Sequence, residues 1–323
     1  MRRDHSGARR LRNRESKVMI LFLGKRRRSL HFRRVNFHAA IALLMLLTVS
    51  TANALTIVGY DSDTNDRFDS GYATSPVENT SLSFLGSGYD LSGVGWNPSN
   101  TSQSFAMISD RYFVYASHHA PGSTMSFFSQ VLGSVVNYGV SAATHHFTFN
   151  GQTSDFAIGR LSTALNPAHG ITSYPVLDFP FVTDYLGLPV LIYGHGSNGP
   201  RLGANTVDVV LPYNFPGGTG NDSYGIGYAF NSGLTGDSKF ESGDSSSPTF
   251  VPWHGSLALL GTHSVVGTIG LTEYSIDNFI AVYLDQMTAQ GIDFSVVPEP
   301  SRAMLLLLGA CTLLRRRHRA PRE

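Results

Sequence analysis

One cysteine, Cys311, stands among 323 residues. An intramolecular disulfide is therefore impossible, and a cysteine-ligated zinc site is excluded with it. Charge is scarce as well: charged residues make up 15% of the chain, against 42% hydrophobic and 11% aromatic. This composition excludes a mainly disordered chain or a coiled coil and is apolar enough to fill a substantial core. Between residues 55 and 300 the only cations are Arg67, Arg111, Arg160, Arg201 and Lys239, against twenty Asp and Glu. A body of net charge −15 argues against nucleic-acid binding, because phosphate contacts need cations. It predicts a soluble, self-repelling domain. No internal repeat of fixed period is present.

The missing cations sit at the two ends. Thirteen Lys and Arg fall in residues 1–37, followed by an apolar run over 39–47 and then Thr51-Ala52-Asn53-Ala54. A charged region, a short apolar segment and an A-x-A site predict a secretory signal peptide over 1–54, cut after Ala54. The apolar run is short for a transmembrane helix. An N-terminal membrane anchor is the competing reading, and Met19 is an alternative start. At the other end, Val297-Pro298-Glu299-Pro300-Ser301 leads into an apolar stretch over 303–314 that contains Cys311, and then into Arg315-Arg316-Arg317-His318-Arg319. These three parts in order closely resemble the PEP-CTERM sorting signal, here 297–323. The apolar stretch can pause in a bilayer while the arginines stay on the cytoplasmic side. The resemblance implies that an exosortase-type membrane enzyme cuts near Pro298, Glu299 and Pro300 after signal peptidase has acted. It also implies a place in the cell envelope or outside the cell, with extracellular polysaccharide as a possible neighbour. A plain C-terminal transmembrane anchor is the alternative.

The body, 55–296, is predicted to be all-β. β-Branched and aromatic runs recur at 104–116, 146–149, 155–161, 189–193, 206–211, 248–251 and 256–260. Turn signals separate them: Pro121-Gly122, Asn150-Gly151, Asn198-Gly199-Pro200 and Pro216-Gly217-Gly218. Short strands punctuated by Gly and Pro indicate a sandwich or a barrel. One helix is predicted near the end. Ser275 would cap it, Phe279, Ile280, Tyr283, Leu284 and Met287 would share its buried face, and Gly291 would stop it.

Three segments carry possible chemistry. Tyr112-Phe113-Val114-Tyr115-Ala116-Ser117-His118-His119 is an apolar strand ending in small residues and histidine. Thr153-Ser154-Asp155-Phe156-Ala157-Ile158-Gly159-Arg160-Leu161 opens an alternating strand on an acid. Glu241-Ser242-Gly243-Asp244-Ser245-Ser246-Ser247-Pro248 is a tight polar turn entering another strand. In the order His, Asp, Ser, at intervals of 37 and 90 residues, they resemble the Ala-Ala-His, Asp-Ile-Ala-Leu and Gly-Asp-Ser-Gly-Gly-Pro blocks of the trypsin/chymotrypsin-like serine proteases. The resemblance spans roughly 100–290.

What it implies is specific. The fold would be two antiparallel six-stranded β-barrels, about 55–175 and 176–290, with a C-terminal helix. His118 would take the proton of Ser245, Asp155 would hold the other ring N–H, and an acyl-enzyme would form on Ser245. The backbone N–H groups of Gly243 and Ser245 would make the oxyanion hole, typically worth about 3 kcal/mol per donor. No metal or cofactor is implied, and the partner is a protein or peptide substrate. His119 competes with His118 for the base. His145, His146, His195 and His254 read as strand-end or surface histidines. Ser264 falls on a strand that would pair with substrate backbone, or is an ordinary strand serine. Lys239, six residues before Ser245, stands where trypsin-type members carry an acid, which argues against cleavage after Lys or Arg. Ile57-Val58-Gly59-Tyr60 resembles the start of zymogen-activated members, whose new α-amino group pairs with the acid before the serine, here Asp244. A first strand is the plainer reading. The acidic stretch 61–66 reads as a solvated loop. Ser246 and Ser247 replace two glycines of the family pattern. Two alternatives to a secreted endopeptidase follow: a catalytically inactive protease-fold module that binds matrix or peptide, and an unrelated β-sandwich matrix protein.

Overall fold

The computed structural model describes residues 55–215 and 221–298. Ala54 with the leader, the turn signal at 216–218, Glu299, Pro300 and the apolar stretch 303–314 lie outside the described residues. Among the described residues, no helix is long and apolar enough to cross a membrane.

Six strands form a closed antiparallel barrel. They are β1 (Val94–Asn97), β2 (Asn100–Met107), β3 (Tyr112–Ala116), β4 (Thr124–Ser129), β5 (Ser134–Phe149) and β6 (Gln152–Leu161). Their order around it is β1-β2-β3-β6-β5-β4. The run 104–116, expected as one strand, is a hairpin. The Ser109 hydroxyl accepts from the N–H groups of Arg111 and Tyr112 and breaks the run into β2 and β3, a turn device of serine.

A second, larger sheet follows: β7 (Pro189–Gly196), β8 (Gly199–Thr206), β9 (Val209–Tyr213), β10 (Ser223–Ala229), β11 (Pro248–Trp253), β12 (Ser256–Ile269) and β13 (Thr272–Phe279). Its pairing path is β8-β7-β11-β12-β13-β10-β9, so this half carries an extra strand, β9, on the edge of β10. The short strand Val176–Asp178 pairs in parallel with β12 and with Val296–Pro298. The expected run 206–211 spans two elements, with β8 ending at Thr206 and β9 starting at Val209.

Strand faces explain how the halves join. Phe113 and Tyr115 of β3 turn into the first barrel with Phe105, Met125, Phe127 and Tyr138. Val190 and Ile192 of β7 and Ala258 and Leu260 of β12 form a core of their own against the second sheet, which runs as an open pairing path rather than the expected closed six-stranded barrel. The alternate residues, Val114, Leu191, Tyr193, Leu257 and Leu259, form a third cluster between them. Strands buried on both faces read as continuous apolar runs, as 113–116 and 257–260 do. Each such side chain stabilises the contact by about 1.5–3 kcal/mol, so the two halves are held at fixed separation.

The C-terminal helix begins later than expected. Ser275 lies within β13, its hydroxyl accepting from the Phe240 N–H. β13 pairs with β10 on one side and β12 on the other through Phe279. Those ladders override local helical periodicity. A 3-10 turn, Ile280–Tyr283, then leads into α1 (Leu284–Ala289), and Ile280, Tyr283 and Met287 are buried in the cluster between the halves. Gly291, at φ 68°, takes the left-handed conformation that ends the helix.

Candidate active site

β3 ends at Ala116, and its partner β6 places Phe156 opposite. Asp155 is thereby set beside the chain as it leaves β3. The Ser117 N–H donates to the Asp155 carbonyl at 2.6 Å, and a tight turn closes with the His119 N–H on the Ala116 carbonyl at 2.8 Å. His118 projects from the middle of that turn. Its Nδ1 lies 2.8 Å from Asp155 Oδ1 and its Nε2 lies 2.9 Å from Ser245 Oγ. A carboxylate oxygen accepts, so Nδ1 carries the proton and Nε2 faces the hydroxyl as acceptor. The three residues named from sequence therefore converge, and of the adjacent histidines it is His118 that bridges them.

Asp155 is 2% exposed. Besides His118 Nδ1, its Oδ1 accepts from the Ser117 hydroxyl and the His118 N–H, each at 3.1 Å. Its Oδ2 accepts from the Ser264 hydroxyl at 2.5 Å and from Asn278 Nδ2 at 3.4 Å. The Tyr213 hydroxyl lies 2.7 Å from Ser264 Oγ and 2.8 Å from Asn278 Oδ1. The Ser264 side chain is thus turned inward to Asp155, at a bulge in β12 between His263 and Val265. Tyr213, Asn278 and Ser117 were not singled out from sequence. Ser117 follows β3 directly and meets Asp155 through the pairing of β3 with β6, whereas Tyr213 and Asn278 come from β9 and β13, which β10 joins by pairing with both.

Ser245 sits in the turn before β11, half-buried. The N–H groups of Asp244, Ser246 and Ser247 are used internally, on the carbonyls of Glu241, His263 and Asp244. The N–H groups of Gly243 and Ser245 have no such partner among the described residues. The turn leaves free the two donors expected for an oxyanion. Gly243 has φ 112°, a conformation L side chains rarely adopt.

Asp244 is fully buried, and burial pushes its carboxyl up to about 7 against the opposing pull of N–H groups from Glu241, His195 and Leu55. The Glu241 and His195 N–H groups donate at 3.0 and 2.8 Å. The backbone beside Asp244 is therefore that of Leu55. Ile57 instead pairs with Ser238 in a short ladder between Thr56–Ile57 and Ser238–Lys239, so the resemblance that placed Ile57 at Asp244 is off by two residues.

His195 is not a surface histidine. It lies half-buried at the end of β7 beside Tyr72, and burial together with the Arg201 charge lowers it to about 4. His263 is fully buried, stacked on Phe240 with centroids 4.1 Å apart, and burial lowers it to about 3. Lys239 Nζ binds Glu273 at 2.7 Å and Glu241 at 3.2 Å. Burial alone would lower it, but these two carboxylates raise it on balance. Phe215, from the segment after β9, stacks on the His118 ring with centroids 4.5 Å apart. Nothing in its local sequence signalled that contact.

No family model matches the chain, and no curated protein matches it. Among solved structures the chain is similar to an atomic-resolution structure of HBP, at 17% identity and TM-score 0.46, over 64% of this chain and 93% of that one. It is similar also to a mutant of human heparin binding protein, at 15% identity and TM-score 0.47, over 62% and 91%.

The chemistry available follows from the contacts themselves. A neutral imidazole nitrogen 2.9 Å from a hydroxyl can take its proton as the oxygen attacks. A buried acceptor on the far nitrogen then stabilises the imidazolium. The two spared N–H groups can receive the negative oxygen of a tetrahedral intermediate.

Proposed function

We propose that the protein is a serine endopeptidase that hydrolyses peptide bonds through an acyl-enzyme on Ser245. His118 is the general base and Asp155 its orienting acid. The observation that carries this reading is the unbroken contact from Asp155 Oδ1 through His118 to Ser245 Oγ, at 2.8 and 2.9 Å across two halves of the fold. The free N–H groups of Gly243 and Ser245 support it as an oxyanion site. An extended peptide would pair with 265–267 of β12, which has β13 on one side and no described strand on the other. Edge pairing of this kind supplies main-chain affinity. Ser264 would contribute there through its backbone, since its hydroxyl is engaged by Asp155. Lys239, already paired to two glutamates, would offer substrate no free cation.

Secretion and processing belong to the same proposal. Signal peptidase would cut after Ala54 and free the Leu55 α-amino group beside Asp244. An exosortase-type enzyme would act at Pro298-Glu299-Pro300, leaving the domain in the envelope or outside the cell. The inactive-module alternative rests on Ser246 and Ser247, and Ser247 Oγ is buried without a partner. A peptide-library digest separates the two readings. The enzyme reading expects cleavage by the parent chain and at least a 10⁴-fold loss in Ser245→Ala. Equal, negligible cleavage by both folded proteins favours the module.

A further inference from the structure

Ser246 is buried and has φ 75°, left-handed backbone at a position where the family pattern carries glycine. A serine there needs a compensating contact, and two are present. The Ser246 hydroxyl accepts from the Ala116 N–H at 3.0 Å and donates to the His119 carbonyl at 3.2 Å. Ala116 and His119 are the two ends of the turn that carries His118. A third bond runs beside these: His119 Nδ1 lies 2.9 Å from the Ser245 carbonyl. A carbonyl only accepts, so the His119 proton is on Nδ1. The serine turn is anchored from behind as well, by the Ser246 N–H on the His263 carbonyl and the Thr262 hydroxyl on the Ser246 carbonyl. The turn bearing the base and the turn bearing the nucleophile belong to different halves of the fold. No disulfide joins them, because the chain has a single cysteine.

We propose that Ser246 and His119 form a clasp across the two halves that sets the His118 Nε2 to Ser245 Oγ distance, making both of them positioning residues for proton transfer. This rests on the serine-hydrolase reading. The clasp acts through the backbones of Ala116 and His119, which flank the His118 turn, and of Ser245, and needs no substrate contact. Its three bonds fix both turns relative to each other, whereas the 2.9 Å contact between His118 and Ser245 alone leaves the spacing free to drift. A misplacement of about 1 Å at such a contact is worth about 10²-fold in rate.

The test uses the full chain and a fluorophosphonate probe, reading the maximal rate of Ser245 modification separately from the half-saturating probe concentration. Ser246→Gly relieves φ 75° but gives up both hydroxyl bonds, so it is expected to fold with some loss of melting temperature. Its maximal rate is expected to fall about 10- to 100-fold with half-saturation within about twofold. His119→Leu is expected to behave alike, and His119→Asn, which keeps a donor for the Ser245 carbonyl, to recover most of the rate. Parental rates in both Ser246→Gly and His119→Leu would overturn the clasp. A parent that never reacts would overturn the hydrolase reading instead. The clasp is then judged on ¹⁵N-histidine spectra. A His118 Nε2 resonance shifted in Ser246→Gly supports it, and one unchanged from the parent overturns it.

Discussion

Five donors converge on the two oxygens of Asp155, three on Oδ1 and two on Oδ2. With every neighbour a donor, the residue acts as a fixed acceptor that holds one tautomer of His118. Asp155→Asn would present an amide N–H to some of those donors and release the tautomer. Steady-state kinetics should show kcat reduced by about 10⁴ with KM nearly unchanged. Asp277 gives a prediction of another kind. Its Oδ2 accepts from the Tyr228 hydroxyl at 2.8 Å, but its Oδ1 has no partner and lies 3.9 Å from His263 Nε2, too far for a hydrogen bond. Burial pushes Asp277 up to about 7. A carboxyl raised on folding favours the folded state below its unfolded value near 4, and that advantage is lost as pH rises through 7. Urea unfolding at pH 5 and pH 8 should therefore show Asp277→Asn gaining on the parent with pH, by about 2–4 kcal/mol. An equal difference at both pH values would contradict the burial argument.

Among the elements, the nucleophile turn carries the most exact expectation. Gly243→Ala adds a Cβ that meets nothing within 4 Å, so any effect comes from φ 112° alone. The backbone would shift and the N–H with it. The maximal acylation rate should drop about 10²- to 10³-fold while half-saturation holds; a parental rate would mean that this N–H receives no oxyanion. The same scale shows what the sequence made legible. His118, Asp155 and Ser245 each lie in a short segment whose local pattern, apolar strand then small residues, acid opening a strand, polar turn before a strand, survives without knowledge of the fold. The helix start did not survive, because 275–279 fit a helical face locally but are taken by ladders on both sides. The hairpin within 104–116 depended on one hydroxyl, Ser109, closing a turn. Phe215 and Tyr213 were hidden altogether, since their contacts with the site depend on the extra edge strand β9.

At the scale of the molecule, two β-structures share one apolar interface, and the site sits where their turns meet across it. The all-β class and the split of His and Asp from Ser between halves were readable from strand runs and motif order. The clasp and the Leu55 contact were not, being made by side chains and backbone far apart in the chain. Leu55 leads to a further prediction. In a chain cut after Ala54, the α-amino group of Leu55, whose backbone N–H reaches the buried Asp244, would form an ion pair there. Asp244→Asn should then cost about 3–5 kcal/mol in urea unfolding of the cut chain and distinctly less in one with extra residues before Leu55. Equal costs would remove the amine from the account.

The central claim is that Ser245 is an activated nucleophile, and covalent modification tests it most directly. The full chain would be treated with a fluorophosphonate and the modified residue located by mass spectrometry. The account predicts one adduct, on Ser245, lost in His118→Ala. A folded protein that stays unmodified, or whose Ser245 adduct persists in His118→Ala, would contradict it.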